Sequence, residues 1–174
     1  MDGHIRRATK EEYPLVAALI RSSYKDVAVR FHLKAKDCPA HPAFCTEESV
    51  RTSAAKGEEF YILMDDSRAV GCVALERANR DVFYMERLSI LPEYRSRGYG
   101  SRLVNFCIRL ARKRAARRVV VGVIADQMEL IEWHRSLGFR FKQYARFHDL
   151  PYSIAFMYND LRLQEELFFE AEAA

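Results

Sequence analysis

A glycine-rich stretch between arginines, residues 91–106 (LPEYRSRGYGSRLVNF), has the types and spacing that could bind an anion. An apolar run ends there, Gly98 and Gly100 follow Arg95, and an amphipathic pattern begins. A strand, a tight turn and a helix start would direct free backbone N–H groups and the positive end of the helix dipole to one spot. Glycines let a phosphate approach the main chain, and Arg95 and Arg97 could add charge-assisted bonds. The stretch predicts a pyrophosphate-type ligand, with a glycine turn that binds nothing as the alternative.

Two known phosphate-binding patterns fit this stretch less well. The third glycine of the dinucleotide pattern G-x-G-x-x-G would fall on Leu103, which is bulky, and the Gly-Lys-Ser/Thr of a P-loop is missing. A dinucleotide or P-loop site is therefore not the prediction.

Glu86 is the candidate general base. In VFYMERLSI, the alternation of a strand would place Glu86 on the same side as Val82, Tyr84, Leu88 and Ile90. A carboxylate in such an apolar row is partly desolvated, which raises its pKa toward that of a useful base. A glutamate paired with a nearby arginine at a strand edge is the other interpretation.

The segment HLKAKDCPAHPAFC contains Cys38, His41 and Cys45, which together could suggest zinc. The spacing is not that of a standard finger, and no second cluster completes it. We therefore expect no metal site here.

The elements that must position these residues follow from periodicity. Residues 9–24 predict an amphipathic helix with a Thr9/Glu12 capping box, although Pro14 fits awkwardly, and Thr46 caps a shorter second helix. Three strands in an antiparallel meander, a helix over Gly100 to Ala116 and a strand buried on both faces (RVVVGVIA) come next. A helix with an Asp126/Glu129 capping box and two closing strands complete the order α-α-β-β-β-α-β-α-β-β. This predicts an α/β (α+β) fold with a mixed sheet and helices on its faces.

Length and composition point to one domain over residues 1–174, with an acidic tail from about 165 to 174. No apolar run could span a membrane and the N-terminus has no hydrophobic segment, so we expect a soluble cytoplasmic protein with reduced cysteines. Nine arginines or lysines and no acidic residue lie between Arg95 and Arg118. Such a segment suggests an anionic partner, either nucleic acid or a phosphorylated small molecule, or else a solvated helix face.

The stretch LSILPEYRSRGYGSRL resembles motif A of the GNAT superfamily of N-acetyltransferases, [RQ]-x-x-G-x-[GA] after a strand ending in V/I-x-P. Arg95, Gly98 and Gly100 match its three defining positions. EWHRSLGF is similar to the Y-x-x-L-G-F element of the family, and the order of elements also agrees. The resemblance thus covers nearly the whole chain. It implies a mostly antiparallel sheet with a splayed strand pair that forms a groove for acetyl-CoA.

The resemblance also implies the cofactor contacts. The pyrophosphate would lie on the loop, and the pantetheine arm would pair with the backbone of three residues in the preceding strand, as an added strand does. The loop residues are Arg95, Ser96, Arg97, Gly98, Tyr99, Gly100 and Ser101, and the strand residues are Leu88, Ser89 and Ile90.

The same resemblance assigns the chemistry. Glu86 matches the position where the family often has a base. Where the family has a tyrosine that protonates the CoA thiolate, this chain has His134, whose unperturbed pKa of ~6.5 suits a proton donor at neutral pH. His134 also lies on an apolar helical stripe, so a buried structural histidine is the alternative. Gln127 stands where the family often has an asparagine that contacts pantetheine.

The predicted function is an acyltransferase that moves the acetyl group of acetyl-CoA to a primary amine by direct attack in a ternary complex. The region between the first two helices would shape the acceptor pocket, with aromatic walls from Tyr24, Phe31 and Phe44. A non-catalytic acyl-CoA-binding or nucleic-acid-associated regulatory protein of the same fold is the alternative. No recognised nucleic-acid motif accompanies the basic helix, so we expect no nucleic-acid partner, and the acidic tail could support a homodimer.

Overall fold

A computed structural model describes residues 4–162, and within them a seven-stranded sheet carries helices on both faces. The strands are β1 (His4–Arg7), β2 (Glu59–Asp65), β3 (Arg68–Arg77), β4 (Val82–Ile90), β5 (Arg118–Ile124), β6 (Arg140–Arg146) and β7 (Ser153–Asp160). The helices are α1 (Tyr13–Arg30), α2 (Glu47–Ala55), α3 (Tyr99–Lys113) and α4 (Met128–Ser136). The predicted acidic tail lies outside the described residues. No helix in the described part of the chain is long and apolar enough to cross a membrane.

The strand order is β1-β2-β3-β4-β5-β7-β6, and every neighbouring pair is antiparallel except β4 with β5. The mixed, mostly antiparallel sheet confirms the predicted fold class. One core cluster joins the sheet to α3 and α4, and a second joins the opposite face to α1 and α2. The predicted burial of β5 on both faces is confirmed, because Val119, Val121 and Val123 are buried on one face and Val120 and Ile124 on the other.

The predicted order lacked its first strand. β1 pairs antiparallel with β2 and places only Ile5 against the core. A four-residue edge strand with one apolar contact gives no alternating pattern that a sequence could reveal.

The first helix begins later and ends later than predicted. It starts at Tyr13, so Pro14 occupies its first turn, where the missing N–H costs nothing. The Thr9/Glu12 capping box is present, but it caps a single 3-10 turn before α1. The helix continues to Arg30, which shortens the irregular connection that follows.

Two other predicted boundaries differ from the structure. The Asp126/Glu129 capping box was wrong, because Gln127 is the residue before α4 and no side chain caps that helix. The third helix begins at Tyr99 and ends at Lys113, instead of running from Gly100 to Ala116.

A β-bulge in β4 changes which side chains share a face. Ala74 pairs with Glu86, and Cys72 pairs with Ser89, so β4 has one residue more than β3 over this interval. Arg87 takes the positive φ of 52° within the bulge. Glu86 therefore lies on the face of α1 and α2, whereas Leu88 and Ile90 pack toward the other cluster. The predicted common row of Glu86 with Leu88 and Ile90 was wrong.

Candidate functional site

The parallel strands β4 and β5 separate along their length. They pair only over residues 82–84 and 118–120, although β4 continues to Ile90 and β5 to Ile124. A cavity of about 650 Å³ occupies this region. Its walls come from β4, β5, α1, α4, the α1–α2 connection and the β6–β7 connection. The splayed strand pair expected from the sequence is present, and it leaves unpaired strand edges beside a groove.

Glu86 lines this cavity at the bulge. Its side chain is exposed within the cavity, but the surrounding walls limit its hydration. This desolvation raises the pKa of Glu86 above its usual value, and the carboxylates of Glu58 and Glu76 add to the effect while Arg87 opposes it. The direction is the one expected for a general base, although its cause is the cavity and not a row of apolar neighbours.

The side chain of Arg87 ties the bulge to Ser53, Glu58 and Phe60. Its Nη2 donates to Ser53 Oγ at 3.0 Å and lies 3.6 Å from Glu58 Oε2, and its guanidinium lies over the ring of Phe60. Glu58 is buried, and this desolvation raises its pKa although Arg87 opposes the shift. A non-glycine residue with positive φ costs about 1–2 kcal/mol, so these contacts must hold the bulge in place.

His134 lines the same cavity from α4 and is buried. Its Nδ1 lies 2.8 Å from the carbonyl oxygen of Leu130, which can only accept, so Nδ1 carries a proton. The neutral ring therefore presents Nε2 as an acceptor. Burial lowers the pKa of His134 below 6.5, and the bond to Leu130 only partly opposes this. Burial thus shifts this imidazole away from the unperturbed pKa on which the sequence argument relied, and its role as a proton donor stays a prediction.

The side chain of Arg95 does not point to an anion site. Nη1 lies 2.5 Å from Asp26 Oδ2, and Nη2 donates to the carbonyl oxygen of Ser23, so the guanidinium ties the loop to α1. Nε donates to the Ile90 carbonyl at 3.3 Å. These bonds to α1 already engage donors of the Arg95 side chain, and its predicted direct contact with phosphate stays a prediction. Arg97, by contrast, is exposed and lies over the ring of Tyr94.

The loop still presents backbone donors. None of the N–H groups of residues 96–101 donates to a backbone carbonyl of the described residues. Gly98 precedes α3 with φ +79°, and a Cβ there would meet open space, so backbone conformation is what requires glycine. Ser96 also has a positive φ, of 59°. The side chain of Tyr99 is buried at the start of α3. Free N–H groups at this helix N-terminus can bind an anion.

Gly100 has a different reason for being glycine. A Cβ on it would lie 3.2 Å from the ring of Trp133 in α4, which is tighter than ordinary packing. The close approach of Trp133 is a second reason for glycine at this position, and the predicted approach of a phosphate stays a prediction.

Gln127 and one of the three predicted strand residues line the cavity. Leu88 lines it, and its carbonyl oxygen accepts from Tyr24 at 3.1 Å. Ser89 is fully buried and donates to the carbonyl oxygen of Arg87, and Ile90 packs on the core. Any contact of Ser89 or Ile90 with a ligand is therefore through the backbone. Gln127 lies just before α4.

His41 is the cavity residue whose environment the sequence did not reveal. It is buried, with ring centroids of Tyr24, Phe44 and Tyr152 between 6.0 and 6.2 Å away. Sequence reasoning weighed it as a metal ligand and placed its segment at the acceptor pocket, but it did not foresee this buried environment, and it missed Phe147 and Asp149. His41 caps a single 3-10 turn, Pro42–Phe44, because its side chain accepts from the Ala43 N–H. Among residues 4–162, no group of three or more His, Cys, Asp or Glu could hold a metal ion.

Comparison with known proteins connects this geometry to a family. The model of the acetyltransferase (GNAT) family matches residues 23–139. Over 90 residues the chain is 30% identical to an uncharacterized N-acetyltransferase of Methanocaldococcus jannaschii, a match that covers 48% of this chain and 40% of the relative. The chain thus spans less than half of that relative's length.

Solved structures share the fold. The ribosomal-protein-S18-alanine N-acetyltransferase of Escherichia coli has a TM-score of 0.73 at 15% identity, over 92% of this chain and 94% of that one. The PaiA N-acetyltransferase of Thermoplasma acidophilum, in complex with coenzyme A, has a TM-score of 0.71 at 16% identity, over 92% and 99%. At such identities the likeness establishes the architecture alone.

Proposed function

The chain belongs to the GNAT family of acetyltransferases, and from this premise we propose that it transfers the acetyl group of acetyl-CoA to a primary amine. The observation that carries the proposal is the splay of β4 from β5, which opens one cavity onto both Glu86 and His134. Solved relatives of this fold contain acetyl-CoA or coenzyme A.

The free N–H groups of residues 96–101 and the N-terminus of α3 would hold the pyrophosphate. Arg97 is exposed and would add charge, whereas Arg95 would fix the loop on α1. The backbone of residues 88–90 and the side chain of Gln127 would hold the pantetheine arm, which brings the thioester to the bulge.

Glu86 would act as the general base. Its raised pKa lets the carboxylate take a proton from the ammonium group of the acceptor, directly or through one water. The neutral amine then attacks the thioester carbonyl in a ternary complex, which forms the new C–N bond and breaks the C–S bond.

His134 would complete the proton balance. Because its imidazole is neutral and Nε2 is unprotonated, His134 must accept a proton before it can donate one. The attacking nitrogen carries a second proton that it loses on becoming an amide. Nε2 would accept that proton and return it to the departing sulfur.

Calorimetric binding of acetyl-CoA, followed by transfer to simple primary amines, tests the proposal. Two glycines offer a matched comparison, since Gly98 and Gly57 both have positive φ and both face open space. The added Cβ costs each variant roughly 1–2 kcal/mol of stability. We expect Gly98→Ala to weaken acetyl-CoA binding about tenfold or more, because it disturbs the phosphate loop, and Gly57→Ala to leave binding unchanged. Equal effects, or no binding by the unaltered protein, would contradict the proposed function.

A further inference from the structure

The cavity has a second half, away from the splayed strand edges, that acetyl transfer itself does not use. It is formed by α1, the α1–α2 connection, the β6–β7 connection and strand β7. The side chains that matter there are Tyr24, His41, Phe147, Leu150, Tyr152 and Phe156.

Most of these side chains are aromatic, and rings from different elements contact each other. The His41 ring lies 6.2 Å from Tyr152 and 6.0 Å from Tyr24, both edge-on. Phe147 lies 6.4 Å from Phe156 on the opposite side, and 43% of Phe147 is exposed. Large exposed aromatic surface at the mouth of a cavity is suited to an apolar ligand.

The aromatic side chains of these walls are uncharged at neutral pH. Nδ1 of His41 accepts from the Ala43 N–H at 3.2 Å, so the neutral ring carries its proton on Nε2. Burial lowers the pKa of His41 to about 4, which keeps the ring neutral. Burial likewise raises the pKa of the Tyr152 hydroxyl to about 12. These residues contribute hydrogen-bonding groups without charge.

The charges that do line the cavity match one ammonium group. Among the described lining residues, Glu86 and Asp149 are the acidic ones and Arg87 is the basic one. Arg87 engages Ser53 and Glu58 through Nη2, and its Nη1 has no hydrogen-bond partner but is buried, so a ligand in the cavity does not reach it. A polyamine or an aminoglycoside, with several cations, would find too few carboxylates. The carboxylate of a free amino acid would find no available cation.

We propose that the acceptor is a primary amine carried on an aromatic or bulky apolar group, without a carboxylate beside the amine. This inference rests on the proposed acetyl transfer and specifies its substrate. A free arylalkylamine has this chemistry, and so does the N-terminus of a peptide that begins with an aromatic residue.

Steady-state kinetics with five amines tests the class and separates the two sources. The amines are phenethylamine, the dipeptide amide Phe-Gly-NH2, free phenylalanine, spermidine and kanamycin. We expect kcat/KM for phenethylamine or the dipeptide amide to exceed that for each of the other three by at least about tenfold. Preference for phenethylamine identifies a small-molecule acceptor, and preference for the dipeptide amide identifies a peptide N-terminus. Spermidine, kanamycin or free phenylalanine as the best substrate would overturn the inference.

Replacement of an aromatic residue that lines the cavity tests whether that residue contacts the acceptor. Phe147→Ala should raise KM for the preferred aromatic amine about tenfold and leave KM for propylamine unchanged, because propylamine does not reach the wall. Tyr144→Ala is the matched control, since Tyr144 is an exposed aromatic residue of β6 that does not line the cavity. Equal effects of both variants, or no effect of Phe147→Ala, would count against the aromatic pocket.

Failure of this inference differs from failure of the proposed function. A protein that binds acetyl-CoA but acetylates other amines, or no aromatic amine at all, retains its cofactor site and refutes only the acceptor class. A protein that does not bind acetyl-CoA refutes the proposed acetyl transfer itself.

Discussion

At the scale of single residues, Glu86 and His134 face one cavity, but burial acts on them in opposite directions. Loss of hydration raises the pKa of the Glu86 carboxyl and lowers that of the His134 imidazole. Both shifts favour the neutral form, as desolvation always does. The two pKa values therefore move toward each other.

Replacement of Glu86 tests the base. Glu86→Gln should lower kcat about a hundredfold and remove the limb of the pH–rate profile that rises through the raised pKa of this carboxyl. The limb belongs on the acidic side because the base must be deprotonated to act.

Glu76→Gln is the control for Glu86→Gln. Glu76 raises the pKa of Glu86 but does not line the cavity, so its removal should move the limb to lower pH and preserve it. A rising limb that persists unchanged in Glu86→Gln places the base elsewhere.

His134→Phe separates chemistry from packing. The ring contacts Trp133 and Phe139, so phenylalanine should fill its place and preserve the fold. We expect kcat to fall about a hundredfold while the Kd for acetyl-CoA stays within about twofold. Turnover equal to that of the unaltered protein would leave His134 a purely structural residue.

The sequence predicted these two residues but not their surroundings. Glu86 and His134 stood out by type and position, and both line the cavity. The engagement of Arg95 with Asp26 is a contact across 69 positions, and spacing within the loop contains no information about it. The contact of Gly100 with Trp133 was not predicted for the same reason, because Trp133 lies 33 positions away.

At the scale of elements, Arg95 joins the loop before α3 to helix α1. The bridge is exposed, so we expect it to contribute at most about 1 kcal/mol to folding. Its effect should instead appear in binding, since a loop already fixed in the bound conformation loses less entropy when the ligand arrives.

Asp26→Ala is therefore expected to weaken acetyl-CoA binding about threefold to tenfold, measured by calorimetry, with little change in Tm. Glu47→Ala removes an exposed ion pair with Arg51 on α2, remote from the loop, and should leave binding unaltered. Tighter binding by Asp26→Ala would show that a released Arg95 contacts phosphate directly, as the sequence suggested.

The strands were predicted correctly where the hydrophobic pattern in the sequence extends over many residues. The meander, the doubly buried β5 and the closing pair of strands were predicted correctly. The bulge at Arg87 was not, because it depends on Ser53 and Glu58 beneath it and not on the alternation within β4. A single extra residue was enough to reverse the face of Leu88 and Ile90 relative to Glu86.

At the scale of the whole molecule, two buried neutral histidines make stability depend on pH. The folded-state pKa values of His41 and His134 lie below the unfolded value of ~6.5, so the unfolded chain binds more protons below that pH. Their contribution is complete above ~6.5 and is lost as pH falls toward the folded values.

Denaturant titrations of His41→Asn at several pH values test this contribution. Asparagine can still accept from the Ala43 N–H but does not titrate. The free energy of unfolding of the unaltered protein, relative to the variant, should fall by roughly 3 kcal/mol between pH 7 and pH 4. His148→Asn, at an exposed position, should show no such difference, and a pH-independent gap for His41→Asn would refute the argument.

The contact between Gly100 and Trp133 has a consequence for which thioesters can react. Because the missing Cβ lets the Trp133 ring approach the first turn of α3, and because His134 is the next residue, this contact helps to set the distance between the imidazole and the helix start that would bind phosphate. We expect an acyl carrier to bring its thioester to His134 only if the length of its arm matches this distance. Acetyl thioesters of truncated carriers would occupy the cavity without aligning sulfur and imidazole, so selectivity for the intact carrier would arise from distance as well as from affinity.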